Sequence, residues 1–210
     1  MKHIPIIKAI RTDILRKPEI DTMLEKADDR LKCVIALAWI FGKRINEILT
    51  LKREDIWVQG DFLFVRFHVG KKKERQAQII PKPYLKKIRT AHPYVSYILN
   101  WIEKFQQGYV FPSYGVDHSK KVYSKKYDKV YTYQVIGGHL TPQRIWQLLK
   151  EINPNVWAHL FRESLATWMA ENDATEEDLM HWFDWDDPRM AHRYVKHGTR
   201  LTEKWSERKW

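Results

Sequence analysis

A run of nine apolar residues, "CVIALAWIF" at positions 33–41, constrains the fold more than any other feature of the sequence. The run is too short to cross a bilayer, which takes about 20 apolar residues in a helix. A helix over about 30–41 would be apolar almost all round, and such a helix must be buried on every side. We therefore predict that it forms the centre of the fold and that Gly42 ends it.

Residues that start helices, together with apolar spacing, predict further helices around this centre. Pro18 suits a first helical position, and Thr141 followed by Pro142 is a strong start signal. Thr175 and Asp178 form an approximate capping box. The predicted helices cover roughly 18–28, 44–51, 93–107, 141–152, 156–172, 175–183 and 187–198. Three tryptophans are interpreted as packing residues, namely Trp39, Trp101 and Trp168.

Two short β-prone runs interrupt the helical pattern. "DFLFVRFHV" (61–69) and "RQAQIIP" (75–81) flank the polar "GKKKE" segment and are typical of a hairpin. Residues 113–140, where lysines alternate with tyrosines, read as a surface loop or a second hairpin. The predicted fold class is therefore mainly α with a small antiparallel β-sheet (α+β).

The charge of the chain indicates a polyanionic partner. Among 210 residues, 37 Lys and Arg outnumber 26 Asp and Glu, which gives a net charge of +11. Nucleic acid and an acidic membrane surface both fit this excess, and the lack of a membrane segment or signal peptide in the sequence favours nucleic acid. Cys33 is the only cysteine, so no intramolecular disulfide can form and an intracellular location, in the cytoplasm or nucleoid of the host cell, is expected.

His159 and Arg162 form the first candidate site. They are three apart on the predicted helix 156–172, which would place them on one face. A guanidinium cannot bind a metal and repels cations, whereas it binds phosphate well while a histidine moves a proton. The alternative is an ordinary polar helix face.

Other basic and phenolic residues also have two interpretations. Arg44 with Glu47 is either a common intrahelical pair of small energetic value or an arginine that Glu47 aims at a phosphate. The "GKKKER" segment (70–75) is either a solvated charge run or a lysine-bearing tip that reaches DNA. Tyr194 is either a half-buried ring or a nucleophile.

The order of these features resembles the catalytic domain of the tyrosine recombinase (phage integrase) family. "GKRINEILTL" (42–51) fits that family's G-x-R-x-x-E-x-x-x-L segment, and "GKKKERQAQIIP" (70–81) is one residue shorter than its lysine hairpin. The family's H-x-x-R box is matched at His159 and Arg162. Trp185 stands nine residues before Tyr194, where some members carry Trp instead of His. The resemblance runs from about residue 18 to residue 197.

This resemblance implies a site-specific recombinase that cleaves and rejoins DNA through a covalent 3′-phosphotyrosine. Arg44 and Arg162 would bind the non-bridging oxygens of the phosphate, and Glu47 would orient Arg44. Tyr194 would be the nucleophile. No cofactor is implied, and no metal is implied because the arginines supply the positive charge.

The remaining roles implied by the resemblance concern proton transfer. His159 would accept the tyrosyl proton, Trp185 would hold the phosphate, and Lys71 would protonate the leaving 5′-oxygen. Because the turn is short, Lys73 is the second candidate for that lysine. Further residues predicted to contact DNA phosphates are Lys72, Lys73, Arg75, Lys120, Lys121, Lys125 and Lys126.

The resemblance also implies a domain organisation and an assembly. We expect an N-terminal arm (1–17), a catalytic domain (18–198) and a tail (199–210) that docks on a neighbouring subunit. The partners implied are double-stranded DNA and three further copies of the chain, and a monomer in solution is left open. In the family a helical DNA-clamping domain precedes the catalytic domain, and it is not expected in this sequence. The chain would then be either a minimal recombinase or an excised catalytic fragment.

Two positions depart from the family pattern. Glu163 follows Arg162 where the family often has His, and Asp184 replaces the usual Gly before Trp185. Both are expected to place negative charge near the phosphate pocket. A nicking-closing enzyme of the type IB topoisomerase kind and a non-catalytic DNA-binding module of the same fold are the alternative functions.

Overall fold

The computed structural model describes residues 14–68, 84–113, 118–124, 128–135, 138–157 and 159–195. Over these ranges the chain forms eight α-helices, which are α1 (Lys17–Lys26), α2 (Asp29–Phe41), α3 (Ile45–Leu49), α4 (Val95–Ile102), α5 (Pro142–Ile152), α6 (Leu160–Glu171), α7 (Glu176–Phe183) and α8 (Pro188–Val195). The strands are β1 (Ile56–Gln59), β2 (Phe62–Phe67), β3 (Tyr84–Arg89), β4 (His118–Ser124) and β5 (Lys129–Val135). The predicted α+β class is confirmed.

Helix α2 is the centre of the fold, as predicted. Every residue from Cys33 to Phe41 is buried, and α1, α3, α4, α5 and α6 all pack against the helix. The Asp28 carboxylate caps its start by accepting a hydrogen bond from the Leu31 N–H at 2.7 Å. Gly42 ends it in the left-handed conformation (φ +58°) and donates its N–H to the Ala38 carbonyl.

The sheet differs from the predicted hairpin. Strand β2 lies within the predicted run 61–69 and pairs antiparallel with both β1 and β3. The predicted second strand, 75–81, lies outside the described residues. The sequence did not reveal β1, which is only four residues long, or β3, whose "YLKKIR" has three basic residues that mask a strand pattern. Leu63, Val65 and Phe67 turn one face of the sheet into the core.

The lysine- and tyrosine-rich segment forms the predicted second hairpin. Strands β4 and β5 pair antiparallel, with Lys120 opposite Tyr133 and Lys121 opposite Thr132. The hairpin alternative for this part of 113–140 is therefore confirmed.

Three sequence predictions are wrong, two about the bounds of helices and one about the packing of a tryptophan. The helix expected over 93–107 covers only Val95–Ile102. The helix expected over 156–172 begins at Leu160, because a turn closed by the bond from Leu160 N–H to the Trp157 carbonyl (3.0 Å) precedes it. Trp168 is not a packing residue, since 46% of its surface is exposed on α6.

A second apolar cluster joins α6, α7 and α8 beside the main core. It contains Leu165, Leu179, Phe183 and Tyr194, so α8 is held by its apolar face. The start of the described chain docks nearby, where Leu15 N–H donates to the Ser164 hydroxyl at 2.8 Å. Within the described ranges, the chain has no helix of the length and apolarity that spanning a membrane takes.

Candidate active site

Arg44 stands between α2 and α3, where its neighbour Glu47 holds it. Arg44 is the N-cap of α3, and its Nη1 donates to Glu47 Oε1 at 2.9 Å. Glu47 Oε2 accepts the Arg44 backbone N–H at 3.0 Å, so one carboxylate caps the helix and orients the guanidinium. Glu47 is nearly buried whereas the Arg44 side chain is 41% exposed, which leaves this cation open to a ligand.

Arg162 is a buried cation of the site. Its Nη1 donates to the Gly42 carbonyl and its Nη2 to the Phe183 carbonyl, both at 2.7 Å. It therefore fastens the end of α2 to the end of α7. Burial, followed by the nearby charge of Arg44, lowers the pKa of Arg162 to about 10. The guanidinium remains charged at neutral pH and keeps N–H groups for an anion.

Three aromatic rings form a stack beside Arg162. Phe183 and Trp185 have centroids 4.7 Å apart, and Trp185 and Tyr194 have centroids 5.5 Å apart with planes inclined by 10°. The Arg162 guanidinium lies 4.9 Å from the Phe183 ring and 5.4 Å from the Trp185 ring. Trp185 thus connects the cation to Tyr194.

A cavity of about 300 Å³ opens at the ends of these elements. The charged residues that line it are Lys43, Arg44, Arg162, Glu47, Asp184, Asp186 and Asp187. The expected negative charge of Asp184 is thus present at the cavity. The negative charge of Glu163 lies instead near Tyr194, where it adds to burial in raising the pKa of the phenol.

Asp184 has two lysine partners that sequence reasoning missed. Lys43 pairs with Asp184 Oδ2, and Lys86 Nζ lies 2.9 Å from Asp184 Oδ1. Lys86 also donates to the His181 carbonyl at 2.6 Å. Adjacency to Arg44 was a signal for Lys43, but nothing in the sequence around Lys86 indicates that β3 brings it to this loop.

The predicted site residues are brought together only in part. Arg44, Glu47, Arg162 and Trp185 surround one cavity, and Tyr194 stacks on Trp185 while its own side chain is buried. The roles assigned to these residues stay predictions.

His159 is placed differently from the sequence prediction. It is exposed and has non-helical backbone angles (φ −117°, ψ 4°) as the N-cap of α6. His159 therefore precedes the helix instead of lying within it, although its carbonyl accepts the Glu163 N–H at 2.8 Å, and its placement on one face with Arg162 stays a prediction.

Most of the predicted DNA-contacting residues cannot be placed. Lys120 and Lys121 belong to strand β4. The other predicted DNA-contacting residues lie outside the described residues, and so do both candidates for the catalytic lysine. These positions are Lys71, Lys72, Lys73, Arg75, Lys125 and Lys126. Among the residues that are described, no cluster of three or more His, Cys, Asp or Glu side chains could hold a metal.

The buried phenol of Tyr194 gives a prediction for alkaline pH. Burial first, and the charge of Glu163 second, raise the pKa of Tyr194, which Arg193 and Arg162 only partly offset. A group whose pKa is higher in the folded chain stabilises it fully below the unfolded pKa, about 10 for tyrosine, and loses this contribution as the pH rises through the folded pKa. As the pH rises from about 9 through the folded pKa, the free energy of unfolding should therefore fall faster in the wild type than in Tyr194→Phe. Urea unfolding across that range measures it, and parallel curves would contradict it.

Comparison with known proteins identifies the family. A sequence model described as the phage integrase family matches residues 13–200. No curated protein sequence matches the chain. The crystal structure of XerA recombinase shares the fold at a TM-score of 0.62 and 14% identity, over 100% of this chain and 66% of that one.

A second similar structure is that of XerH site-specific recombinase bound to difH substrate in a pre-cleavage complex. It gives a TM-score of 0.59 and 18% identity, over 99% of this chain and 56% of that one. The chain therefore spans less than two thirds of the length of each of these two recombinases. Because the family match covers nearly the whole sequence, this chain belongs to the phage integrase family of tyrosine recombinases.

Proposed function

We propose that this chain is a site-specific DNA recombinase that cleaves and rejoins strands of double-stranded DNA through a covalent 3′-phosphotyrosine. One observation carries the proposal: Arg44 and Arg162 line a single cavity with Trp185, and Tyr194 stacks on that tryptophan. The scissile phosphate would occupy the cavity. The functional unit proposed is a homo-tetramer on two intracellular DNA duplexes.

Charge neutralisation by the two arginines is the first step of the proposed reaction. A phosphodiester is anionic and repels an attacking phenol, so its developing charge must be stabilised. Arg44, oriented by Glu47, and Arg162, fixed by two carbonyls, are suited to bind the non-bridging oxygens. Because these guanidinium groups supply fixed positive charge, no metal is assigned to the reaction.

Nucleophilic attack then exchanges one phosphodiester for another. The Tyr194 oxygen forms a bond to phosphorus, the bond from phosphorus to the 5′-oxygen breaks, and Lys71 gives that oxygen a proton. The tyrosyl proton passes to His159. Rejoining reverses these steps with a 5′-hydroxyl as the nucleophile.

Tyr194 must become more accessible before it can react. In the unbound chain it is 8% exposed and its side chain packs in the cluster of α6, α7 and α8. Burial also raises the pKa of its phenol, which disfavours the phenolate that the attack requires. We propose that DNA binding moves α8 so that the hydroxyl reaches the cavity next to Arg162.

A suicide substrate tests the proposed function. Nicked duplexes of randomised sequence, which lose the cleaved end by diffusion, are incubated with the protein in EDTA and resolved on a denaturing gel. We expect a covalent protein–DNA adduct with the wild type and none with Tyr194→Phe. Tyr97→Phe, which removes the hydroxyl of a half-buried tyrosine on α4, is the matched control and should form the adduct.

The same substrates distinguish the alternatives. DNA binding without any adduct from the wild type would contradict the proposed reaction and favour a non-catalytic binding module. An adduct accompanied by relaxation of supercoils, with no exchange between two marked duplexes, would favour a nicking-closing enzyme.

A further inference from the structure

Asp184 has a left-handed backbone conformation. It ends α7 in the left-handed region (φ +55°, ψ 44°) and its N–H bonds back to the Met180 carbonyl. Glycine adopts this conformation freely, whereas a residue with a Cβ pays a steric cost in it that Asp and Asn tolerate best. Asp128 and Asp173 also have positive φ, so what distinguishes Asp184 is the set of contacts that its carboxylate makes.

The Asp184 carboxylate lies between two buried ammonium groups. The Lys43 side chain is 1% exposed, that of Lys86 is 6% exposed, and that of Asp184 is 12% exposed. Lys86 lies 2.9 Å from one carboxylate oxygen and Lys43 pairs with the other. Burying two like charges together is unfavourable without a counter-charge, so each lysine depends on Asp184.

The three residues come from separate parts of the chain, and two of them, Lys43 and Asp184, line the cavity. Lys43 immediately precedes Arg44, Asp184 immediately precedes Trp185, and Lys86 belongs to β3. A salt bridge between Lys43 and Asp184 therefore joins the segments that carry Arg44 and Trp185. The bond from Lys86 to the His181 carbonyl fastens the end of α7 to the sheet as well.

We propose that Asp184 is a positioning residue for the proposed cleavage reaction, which through Lys43 and Lys86 fixes Trp185 and Arg44 relative to each other across the phosphate cavity. The inference rests on the proposed function and extends it to residues that do not touch the substrate. Burial lowers the pKa of Lys43 and the Asp184 charge opposes this shift, which agrees with a lysine kept charged by its partner. Displacements near an ångström at a reacting centre slow reactions by about 10²-fold.

Two substitutions of Asp184 separate the charge from the backbone conformation. Asp184→Gly relieves the left-handed backbone but removes the anchor, and Asp184→Asn keeps the shape but removes the charge. We expect each to slow single-turnover cleavage of the suicide substrate by about 10²-fold while DNA affinity is retained. If Asp184→Gly cleaves as fast as the wild type, the proposal is wrong and the residue only ends a helix.

A direct role for Lys43 at the phosphate is distinguished by salt dependence. A lysine that binds a DNA phosphate adds about one unit to the slope of log affinity against log salt concentration. We expect Lys43→Met to leave this slope unchanged, and the double variant with Asp184→Asn to be no slower than Asp184→Asn alone, since both act through one bridge. The proposal would be overturned in favour of a phosphate contact if Lys43→Met had a smaller slope than the wild type and if the rate losses of the two single variants multiplied in the double variant.

Hydrogen exchange tests the anchor without DNA. The Trp185 N–H bonds to the Met180 carbonyl at 3.0 Å, so loosening of this loop should speed exchange over residues 181–190. We expect exchange over these residues to be faster in Asp184→Asn than in the wild type. We expect it to be unchanged in Lys104→Met, which removes an exposed ion pair with Asp29. Unchanged exchange in Asp184→Asn would contradict the proposed anchor.

Two further outcomes are informative. Where Asp184→Asn is too unstable to assay, Lys43→Met breaks the bridge to the segment of Arg44 while Lys86 still pairs with Asp184, and a wild-type cleavage rate in that variant would overturn the proposal. A wild type that forms no adduct overturns the proposed reaction itself. An active wild type with equally active Asp184 variants overturns only the positioning role.

Discussion

Arg162→Lys is expected to slow strand cleavage by at least about 10³-fold, the range found for arginines that stabilise phosphoryl transfer. The guanidinium of Arg162 donates at once to the Gly42 and Phe183 carbonyls and still faces the cavity. A single ammonium cannot reproduce this planar fork. Single-turnover cleavage of the suicide substrate measures the loss, and Arg144→Lys, an exposed arginine on α5, is the matched control.

The same substitution should also destabilise the fold. A buried carbonyl that loses its donor costs about 1–3 kcal/mol, and two carbonyls depend on Arg162. Arg44→Lys should slow cleavage comparably but lower the free energy of unfolding by at most about 1 kcal/mol, because its ion pair is partly exposed. Equal stability of the two variants in urea would contradict the structural role given to Arg162.

The features that the sequence revealed are those carried by local pattern. An apolar run can only be the buried α2, and the glycine that follows it has the left-handed conformation that ends a helix. The spacing of Arg44 and Glu47 is a contact within one turn, which is why it could be predicted. Trp185 and Tyr194 were paired only through the resemblance to the family, whose pattern separates the two positions by nine residues, and the stacking of their rings is a finding of the structure.

The features that the sequence did not reveal depend on contacts between distant segments. Lys86 looks like an ordinary basic residue of a strand, and only the packing of β3 against the end of α7 brings it to Asp184. The burial of Tyr194 likewise depends on α6 and α7 rather than on its own neighbours. The start of α6 was misjudged because apolar spacing continues through "VWAHLF", although the backbone turns at Trp157 and His159.

Gly42→Ala is expected to lower the free energy of unfolding by about 2–5 kcal/mol. Gly42 has φ +58°, where a Cβ costs about 1–2 kcal/mol. That Cβ would also overlap Phe183 Cε1 and lie 3.1 Å from Leu165 Cδ2, and overpacking of a core adds about 1–3 kcal/mol. Urea unfolding at constant pH measures the change.

Gly60→Ala is the matched control for this prediction. Gly60 has nearly the same backbone angle, φ +55°, but nothing lies within 4 Å of a Cβ placed there. It should therefore lose only the backbone cost of about 1–2 kcal/mol and cleave DNA normally. Gly42→Ala should also slow cleavage, since displacing Phe183 moves a carbonyl that holds Arg162. Equal losses of stability in the two variants would show that the close packing of Gly42 on Phe183 contributes nothing, and that only the left-handed backbone matters at the end of α2.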